Sequence, residues 1–185
     1  LFTADIPEEY FNGDFKEVKA YLDGCDVKIT NLESNIEKFG DYPNSYSGGT
    51  WINVEPEDFD DLTKFGFNYY GTANNHCMDR GEEGIVNTLD NCARYGFDTV
   101  GIYKSEEDRN KPFIKEINGI RIAFINYTYG TNAFAHHRFL EHPYMVNLLQ
   151  PEETKSGSIH LLNGYKEIAD DLNRIYFDKP EEYEY

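Results

Sequence analysis

Hydrophobic and polar positions in the first half of the chain repeat one pattern: an amphipathic stretch, a short joint and a brief apolar stretch. Apolar residues recur at helical spacing in the longer stretches and alternate in the shorter ones, as in strands. The predicted pairs are helix Asp14 to Tyr21 with strand Asp26 to Thr30, helix Glu55 to Phe65 with strand Phe67 to Thr72, and a helix from about Glu82, ended by Gly96, with strand Thr99 to Tyr103. Helices that alternate with strands through short joints predict a parallel sheet with right-handed crossovers.

The pattern changes after the third pair. Two alternating stretches, Phe113 to Ile117 and Ile120 to Tyr127, flank Asn118-Gly119, which is the strongest short signal for a hairpin. We therefore expect the sheet to continue with an antiparallel pair and to be mixed. The predicted fold class is α/β, a layered mixed β-sheet with flanking helices.

Two further regions carry weaker patterns. The segment Phe39 to Asn53 is rich in Gly, Pro, Ser, Asn and Tyr, which predicts a long loop that is either functional or a packed flap. Gly164 to Tyr176 shows a helical stripe again, and Pro180 to Tyr185 is expected to be a frayed acidic tail.

Composition limits the class of function. With 185 residues, 39% hydrophobic and 16% aromatic, the chain suits one folded domain with a sizeable core. Its formal charge of −17 argues against a nucleic-acid partner, because phosphate backbones are bound by clustered basic residues. No apolar run reaches the roughly 20 residues of a bilayer-spanning helix, so we expect no membrane span within this chain.

The three cysteines, Cys25, Cys77 and Cys92, are odd in number and lack metal-binding spacing. Neither a disulfide framework nor a zinc site is predicted from them. We expect Cys25 and Cys92 to be small buried apolar side chains. Cys77 lies in a polar segment where contact with a ligand is an alternative, although packing is the expected role.

Polar side chains stand at the ends of two predicted strands. Asn31-Leu32-Glu33 follows the first strand, and Asn74-Asn75-His76-x-x-Asp79 follows the second. In open parallel sheets ligands bind beyond the carboxyl ends of the strands, so we expect both groups in one crevice. Carboxylate, amide and imidazole donors suit a divalent cation such as Mn, Mg, Zn or Fe, and two such ions activate water against a phosphoester. His76 would then be a general acid whose tautomer Asp79 fixes.

A structural interpretation of these residues stays open beside the catalytic one. Asn residues favour turns, and a histidine often bonds to the backbone. Asp79, with Glu82 three residues on, also has the spacing of a helix capping box. The pattern alone does not separate the two interpretations.

A third polar strand exit, Thr128 to Asn132, follows the predicted hairpin. We expect Tyr129 and Asn132 to line the crevice there, the alternative being that Gly130 only permits a turn. The nearby pair His136-His137 is interpreted as an exposed loop pair, because adjacent histidines rarely point at one ion.

Several motifs agree in order and spacing with one known family. They are Asn31-Leu32-Glu33, Gly66-Phe67, Ala73-Asn74-Asn75-His76-x-x-Asp79-Arg80-Gly81, Asn118-Gly119-Ile-Arg-Ile-Ala-Phe, and Tyr127-Thr128-Tyr129-Gly130-Thr131-Asn132. Together they resemble the CapA-type bacterial capsule and poly-γ-glutamate synthesis proteins, which belong to the calcineurin-like metallophosphoesterase fold group. The resemblance extends from about Asp14 to about Glu153. It implies a layered α/β fold with the motif loops at one edge.

The resemblance also implies roles for individual residues. Glu33 would take the bridging-acid position of a metal centre, Asn75 would be a metal ligand, and His76 would be the acid, supported by Asp79. We assign substrate-binding roles to Asn31, Asn74, Arg80, Tyr129 and Asn132. The implied cofactor is a divalent metal. The implied partners are an anionic surface polymer or its phosphorylated precursor and proteins of a synthesis complex, at an extracellular or cell-surface location.

The chain departs from the family pattern at both ends. No Gly-Asp strand end precedes Leu1-Phe2, and no His-Trp-Gly-x-Glu segment follows Gln150. We therefore expect a metallophosphoesterase-like domain truncated at both ends, with an incomplete core at 1–153 and a diverging C-terminal helix and acidic tail at 154–185. Two functions are expected. One is metal-dependent phosphoester hydrolysis or transfer in capsule or poly-γ-glutamate synthesis, and the other is a non-catalytic module that binds polymer or partner proteins.

Overall fold

The structure, a computed structural model, describes residues 16–38, 52–58, 63–149, 170–172 and 175. Short helices and strands alternate through these residues. The α-helices are α1 (Lys16–Asp23), α2 (Gly81–Arg94), α3 (Glu106–Arg109) and α4 (Ala133–His136), with 3₁₀ turns at Pro56–Asp58 and Pro143–Met145. The strands are β1 (Ile29–Asn31), β2 (Asn35–Ile36), β3 (Asn53–Val54), β4 (Tyr69–Gly71), β5 (Asp98–Val100), β6 (Ile114–Ile117) and β7 (Ile120–Ala123).

Three strands form a parallel sheet in the order β1-β4-β5. Asn31 pairs with Gly71, and Gly71 pairs with Val100, so the three strands end on one row. The central strand β4 is buried at every position, as expected for a parallel strand covered on both faces. The parallel strands predicted from helix-strand alternation are confirmed, and the segments that follow them leave from a common edge.

The predicted hairpin is present but does not extend the parallel sheet. β6 and β7 pair antiparallel, and the turn residues Asn118 and Gly119 have φ of 53° and 80°, as a tight Asn-Gly turn requires. Within the described residues, these two strands form a sheet of their own, and β2 with β3 form another. The hairpin contacts the parallel sheet through aromatic rings instead, with Phe124 stacked on Tyr69 at 4.8 Å between ring centroids. The α/β class is therefore confirmed as several small sheets, and the single mixed sheet is wrong for this part of the chain.

One end of the predicted long loop is a strand. Asn53 and Val54 form β3, which pairs in parallel with β2. The buried side chain of Asn53 donates from Nδ2 to the carbonyl of Glu37 at 2.8 Å, a contact that no local pattern reveals. Residues 39–51 of that loop lie outside the described residues.

Helix α2 carries the predicted apolar stripe into the core. Ile85 and Cys92 are fully buried, and Val86 and Leu89 pack beside Ile85. The helix ends at Arg94, and Gly96 follows with φ of 75°, a backbone conformation in which glycine commonly ends helices.

The three cysteines divide between core and surface. Cys77 and Cys92 are buried, as predicted, and burial raises the pKa of the Cys92 thiol to about 12. Cys25 is exposed, contrary to the prediction. The reason is that α1, which precedes it, buries none of its residues, so no core forms around this segment.

Two predicted helices are described only in part. The second shows a 3₁₀ turn at Pro56–Asp58 and a helical Thr63, with 59–62 outside the described residues. Positions 170–172 and 175 are helical, in agreement with the predicted helix near the C-terminus. The rest of that helix, the acidic tail and the boundary between 153 and 154 lie outside the described residues. Among the helices that the structure describes, none is long and apolar enough to cross a membrane.

Candidate functional site

An open cleft of about 550 Å³ lies at the edge where the parallel strands end. The segments that follow β1, β4 and β7 all contribute to it. The described residues that line it are Ile29, Thr30, Asn31, Glu33, Gly71, Ala73, Asn74, Asn75, Ile125, Asn126, Tyr127, Thr128 and Tyr129. Five of the predicted site residues therefore meet in one crevice: Asn31, Glu33, Asn74, Asn75 and Tyr129.

Two amide side chains, Asn74 and Asn126, form what we call the cleft floor, because their hydrogen bonds hold the strand exits together. Asn74 donates from Nδ2 to the Leu32 carbonyl at 2.7 Å and to Oδ1 of Asn31 at 3.2 Å. Its Oδ1 accepts from the His76 backbone N–H at 3.0 Å. The exit of β1 is thereby tied to the exit of β4. The Asn74 amide thus holds the two strand exits together, and its role in substrate binding stays a prediction.

Asn126 ties the third exit to the second. Its Oδ1 accepts from the Ala73 backbone N–H at 2.6 Å. The approach is close because Gly101, with φ of 118°, has no side chain there: a Cβ at that position would lie 2.4 Å from Oδ1 of Asn126. Asn126 was not among the residues predicted from the sequence. The available signal was a polar residue at the end of a predicted strand, the same signal that identified Asn31 and Asn74.

Glu33, Asn75 and Tyr129 form what we call the cleft mouth. Their side chains make no hydrogen bond with any residue that the structure describes, in contrast with the floor. Glu33 is exposed, Asn75 is half-buried, and Tyr129 is 60% exposed. The polar atoms of the mouth are therefore available to a ligand.

The predicted catalytic pair lies beside the cleft, outside its lining. Nδ1 of His76 lies 2.9 Å from Oδ2 of Asp79, a contact that the predicted role of Asp79 in fixing the imidazole tautomer requires. The same Oδ2 accepts the backbone N–H of Ile52 at 2.5 Å. Asp79 is fully buried, and the His76 side chain is 14% exposed. The catalytic role of the pair stays a prediction.

The alternative role of Asp79, a helix cap, is wrong. Arg80 is the N-cap residue of α2, and no side-chain hydrogen bond caps that helix. The Asp79 carboxylate contacts His76 and Ile52 instead, so it is held by residues outside the helix that it was expected to start.

Two residues assigned to substrate binding lie away from the cleft lining. Arg80 is 4% exposed, and its three guanidinium nitrogens form no hydrogen bond with a described residue. Burial lowers the pKa of Arg80, and the nearby carboxylates of Asp79 and Glu37 oppose that shift. Asn132 precedes α4 with φ of 59°. Substrate-binding roles for these two residues stay predictions.

The histidine pair has one buried and one exposed member. His136 is almost fully buried, and its Nδ1 lies 3.4 Å from Oδ1 of Asp79. His137 is exposed and has φ of 53°, so the backbone turns between the two side chains. The interpretation as an exposed pair is wrong for His136 and confirmed for His137. No local pattern in the sequence predicts that Asp79 lies beside His136.

The described residues supply only part of a metal site. Among them, no group of three or more His, Cys, Asp or Glu side chains is placed to hold a metal ion. Glu33 is the one carboxylate in the described cleft lining, and Asn75 adds an amide oxygen. Hard divalent cations are usually held by several oxygen ligands, carboxylates prominent among them. Glu33 and Asn75 are suited to one side of a cation site, and they do not complete one.

Fold and cleft define an α/β protein with a polar crevice at the carboxyl ends of parallel strands, a class in which such crevices bind ligands. Residues 2–176 match the family described as "Bacterial capsule synthesis protein PGA_cap". The chain belongs to this family of bacterial capsule synthesis proteins, which confirms the resemblance drawn from the motifs.

Individual relatives agree over part of the chain. The chain is 31% identical over 115 residues to PGA biosynthesis protein CapA of Bacillus subtilis (strain 168), covering 62% of this chain and 30% of that protein. It is 30% identical over 115 residues to the uncharacterized proteins y4sH and y4uA of Sinorhizobium fredii (strain NBRC 101917 / NGR234), covering 60% of this chain and 25% of each of them. The matched segments thus span a quarter to a third of these relatives.

Proposed function

We propose that this chain takes part in the synthesis of a bacterial capsule or of poly-γ-glutamate at the cell surface. The proposed chemistry is metal-dependent hydrolysis or transfer at a phosphoester of a polymer precursor. The observation that carries this proposal is the convergence of three separate strand exits on one cleft with an unpaired polar mouth. Membership of the capsule synthesis family and the likeness to a PGA biosynthesis protein support the biological role.

The proposal gives the described residues distinct tasks. Glu33 and Asn75 would supply oxygen atoms to a divalent cation such as Mn²⁺, and such a cation would polarise a phosphoryl group. His76 contacts Asp79 through Nδ1, so Nε2 is the nitrogen that would donate a proton to a leaving oxygen. The Asn74 amide fixes the backbone of His76 through its Oδ1.

Hydrolysis of bis(p-nitrophenyl) phosphate during titration with Mn²⁺ tests this chemistry. We expect activity in the unaltered chain, loss of most of it in Glu33→Ala, and a comparable loss in His76→Ala and His76→Gln. Glu83→Ala is the matched control, because Glu83 is exposed on α2 and lies outside the cleft lining. Equal activity in all variants, with melting curves showing that they fold, would remove the site assignment.

The polar side chains that line the cleft favour a second function, which is binding without catalysis. Only one carboxylate lines the described part of the cleft, which suits a module that binds a polymer or a partner of a synthesis complex without catalysis. Calorimetry with Mn²⁺ separates the two functions. Weak or undetectable binding supports the binding module, and tight binding that Glu33→Ala abolishes counts against it.

A further inference from the structure

The described cleft lining is uncharged apart from one carboxylate. It contains no lysine or arginine, and Glu33 is the sole acid. The whole chain carries 34 acidic against 17 basic residues. Complementary charge is what draws charged ligands to a protein surface. A polyanion that enters this cleft therefore meets repulsion that no cationic side chain of the described lining offsets.

The lining groups that form no hydrogen bond with a described residue suit a ligand with hydroxyl groups and an apolar face. The Asn75 amide offers both donors and an acceptor, and the hydroxyl of Tyr129 offers one of each. The Tyr129 ring is exposed, and Ile29 and Ile125 add apolar surface at 51% and 39% exposure. Sugar rings present C–H groups on their faces and hydroxyls around their rims, so a ring can pack on an aromatic face while amides bind its hydroxyls.

The cleft also has the size and rigidity of a binding site. A volume of about 550 Å³ falls within the range of small-ligand sites. Its floor is held by the hydrogen bonds of Asn74 and Asn126, so the mouth residues stand on fixed backbone. A fixed site loses less conformational entropy when a ligand binds.

We infer that four residues of the lining, which we call the cleft wall, bind uncharged sugar rings, with the Tyr129 ring as the platform. They are Ile29, Asn75, Ile125 and Tyr129. The inference rests on the proposed function for the identity of the substrate. If the substrate is a phosphorylated precursor, its sugar lies on the cleft wall, and the precursor is a glycosyl phosphate. Sugar binding itself requires neither metal nor turnover.

Calorimetry in EDTA tests the inference with maltohexaose, cellohexaose and chitohexaose, and with a poly-γ-glutamate oligomer as the anionic alternative. We expect at least one oligosaccharide to bind with an affinity that salt changes little, since no ion pair is involved. Tyr129→Ala should weaken that binding about tenfold, in keeping with the loss of an aromatic contact. Phe134→Ala is the matched control, because Phe134 is 58% exposed and lies outside the cleft lining.

Two kinds of result would overturn the inference. One is the absence of binding by all three oligosaccharides, or salt-sensitive binding of poly-γ-glutamate alone. The other is sugar binding that Tyr129→Ala and Phe134→Ala leave equally strong. Failure of the phosphodiesterase assay together with Tyr129-dependent sugar binding would reject the proposed catalysis and leave this inference standing. Activity without sugar binding would reject this inference alone.

Discussion

Asn74 and Asn75 are neighbours of the same residue type, yet they belong to different regions of the molecule. Asn74, in the cleft floor, is buried and uses both ends of its amide to join strand exits. Asn75, in the cleft mouth, is half-buried and makes no hydrogen bond with a described residue. A motif of polar residues can thus contain framework and ligand-facing members side by side, and burial decides which is which. Substitutions in the floor should affect stability, whereas substitutions in the mouth should affect binding.

The largest expected effect on stability is at Gly101, which packs against the floor residue Asn126. Gly101→Ala places a Cβ 2.4 Å from Oδ1 of Asn126 and 2.7 Å from the Ala73 nitrogen, at a positive φ. We expect a loss of roughly 3 kcal/mol or more in the free energy of unfolding, from strain and overpacking together. Denaturant titration measures it. Gly96→Ala is the control, because its φ is also positive but no atom lies within 4 Å of the new Cβ. We expect about 1 kcal/mol there, and equal losses would contradict the close approach.

The direct comparison of floor and mouth is the pair Asn74→Ala and Asn75→Ala. Removing the Asn74 amide leaves the buried Leu32 carbonyl without this donor, which should cost about 2 kcal/mol of unfolding free energy. Asn75→Ala should change stability by less than about 0.5 kcal/mol. Chemical denaturation of both variants gives the values. Similar losses at the two positions would show that the floor and mouth are not distinct.

A third effect on stability, of similar or smaller size, concerns Tyr127, a lining residue whose hydroxyl bonds to a side chain outside the cleft lining. Tyr127 lines the cleft, and its hydroxyl donates to Asp171, which pairs with Arg109 at 3.0 Å. The side chains of Arg109 and Asp171 are 10% and 13% exposed, so Asp171→Ala leaves a nearly buried cation without this partner. We expect a loss of about 2 kcal/mol, seen as a lower melting temperature.

The control for that pair is an exposed one. Lys111 and Glu107 are 62% and 81% exposed, and Glu107→Ala should lower stability by no more than about 0.5 kcal/mol. If the melting temperature of Asp171→Ala is no lower than that of Glu107→Ala, the contact between Asp171 and Tyr127 does not stabilise this side of the cleft.

The smallest effect is at a surface histidine, His142, that lies outside the cleft lining. A hydrogen bond and charge attraction from Glu82 raise the pKa of His142. Since the folded-state pKa is raised, the contact stabilises fully below the ordinary value near 6.5 and its contribution is lost as pH rises through the folded pKa. Glu82→Gln should return the NMR titration midpoint of His142 toward the ordinary value. An unchanged midpoint would contradict the contact.

Much of the fold was predictable because its signals are local. Helical spacing before Gly96 predicted α2, and Asn118-Gly119 predicted the hairpin, since each depends on neighbouring residues alone. The location of the candidate site was predictable for the same reason. Polar residues directly follow the predicted strands, and parallel strands end at a common edge of the sheet. The division into separate small sheets was not predictable, because strand pairing depends on which strands meet in space.

The sequence by itself determined the α/β class, the family and the strand exits that meet at the cleft. Tertiary structure decided which polar residues became floor and which became mouth. Asn126 reaches Ala73 across 53 positions, and Asn74 reaches Asn31 across 43. Tertiary structure also placed His136 beside Asp79 and left Cys25 on the surface. The physical reason is the same for each of these residues. Burial and hydrogen-bond partners arise from contacts between distant segments, and the spacing of residues along the chain does not predict those contacts.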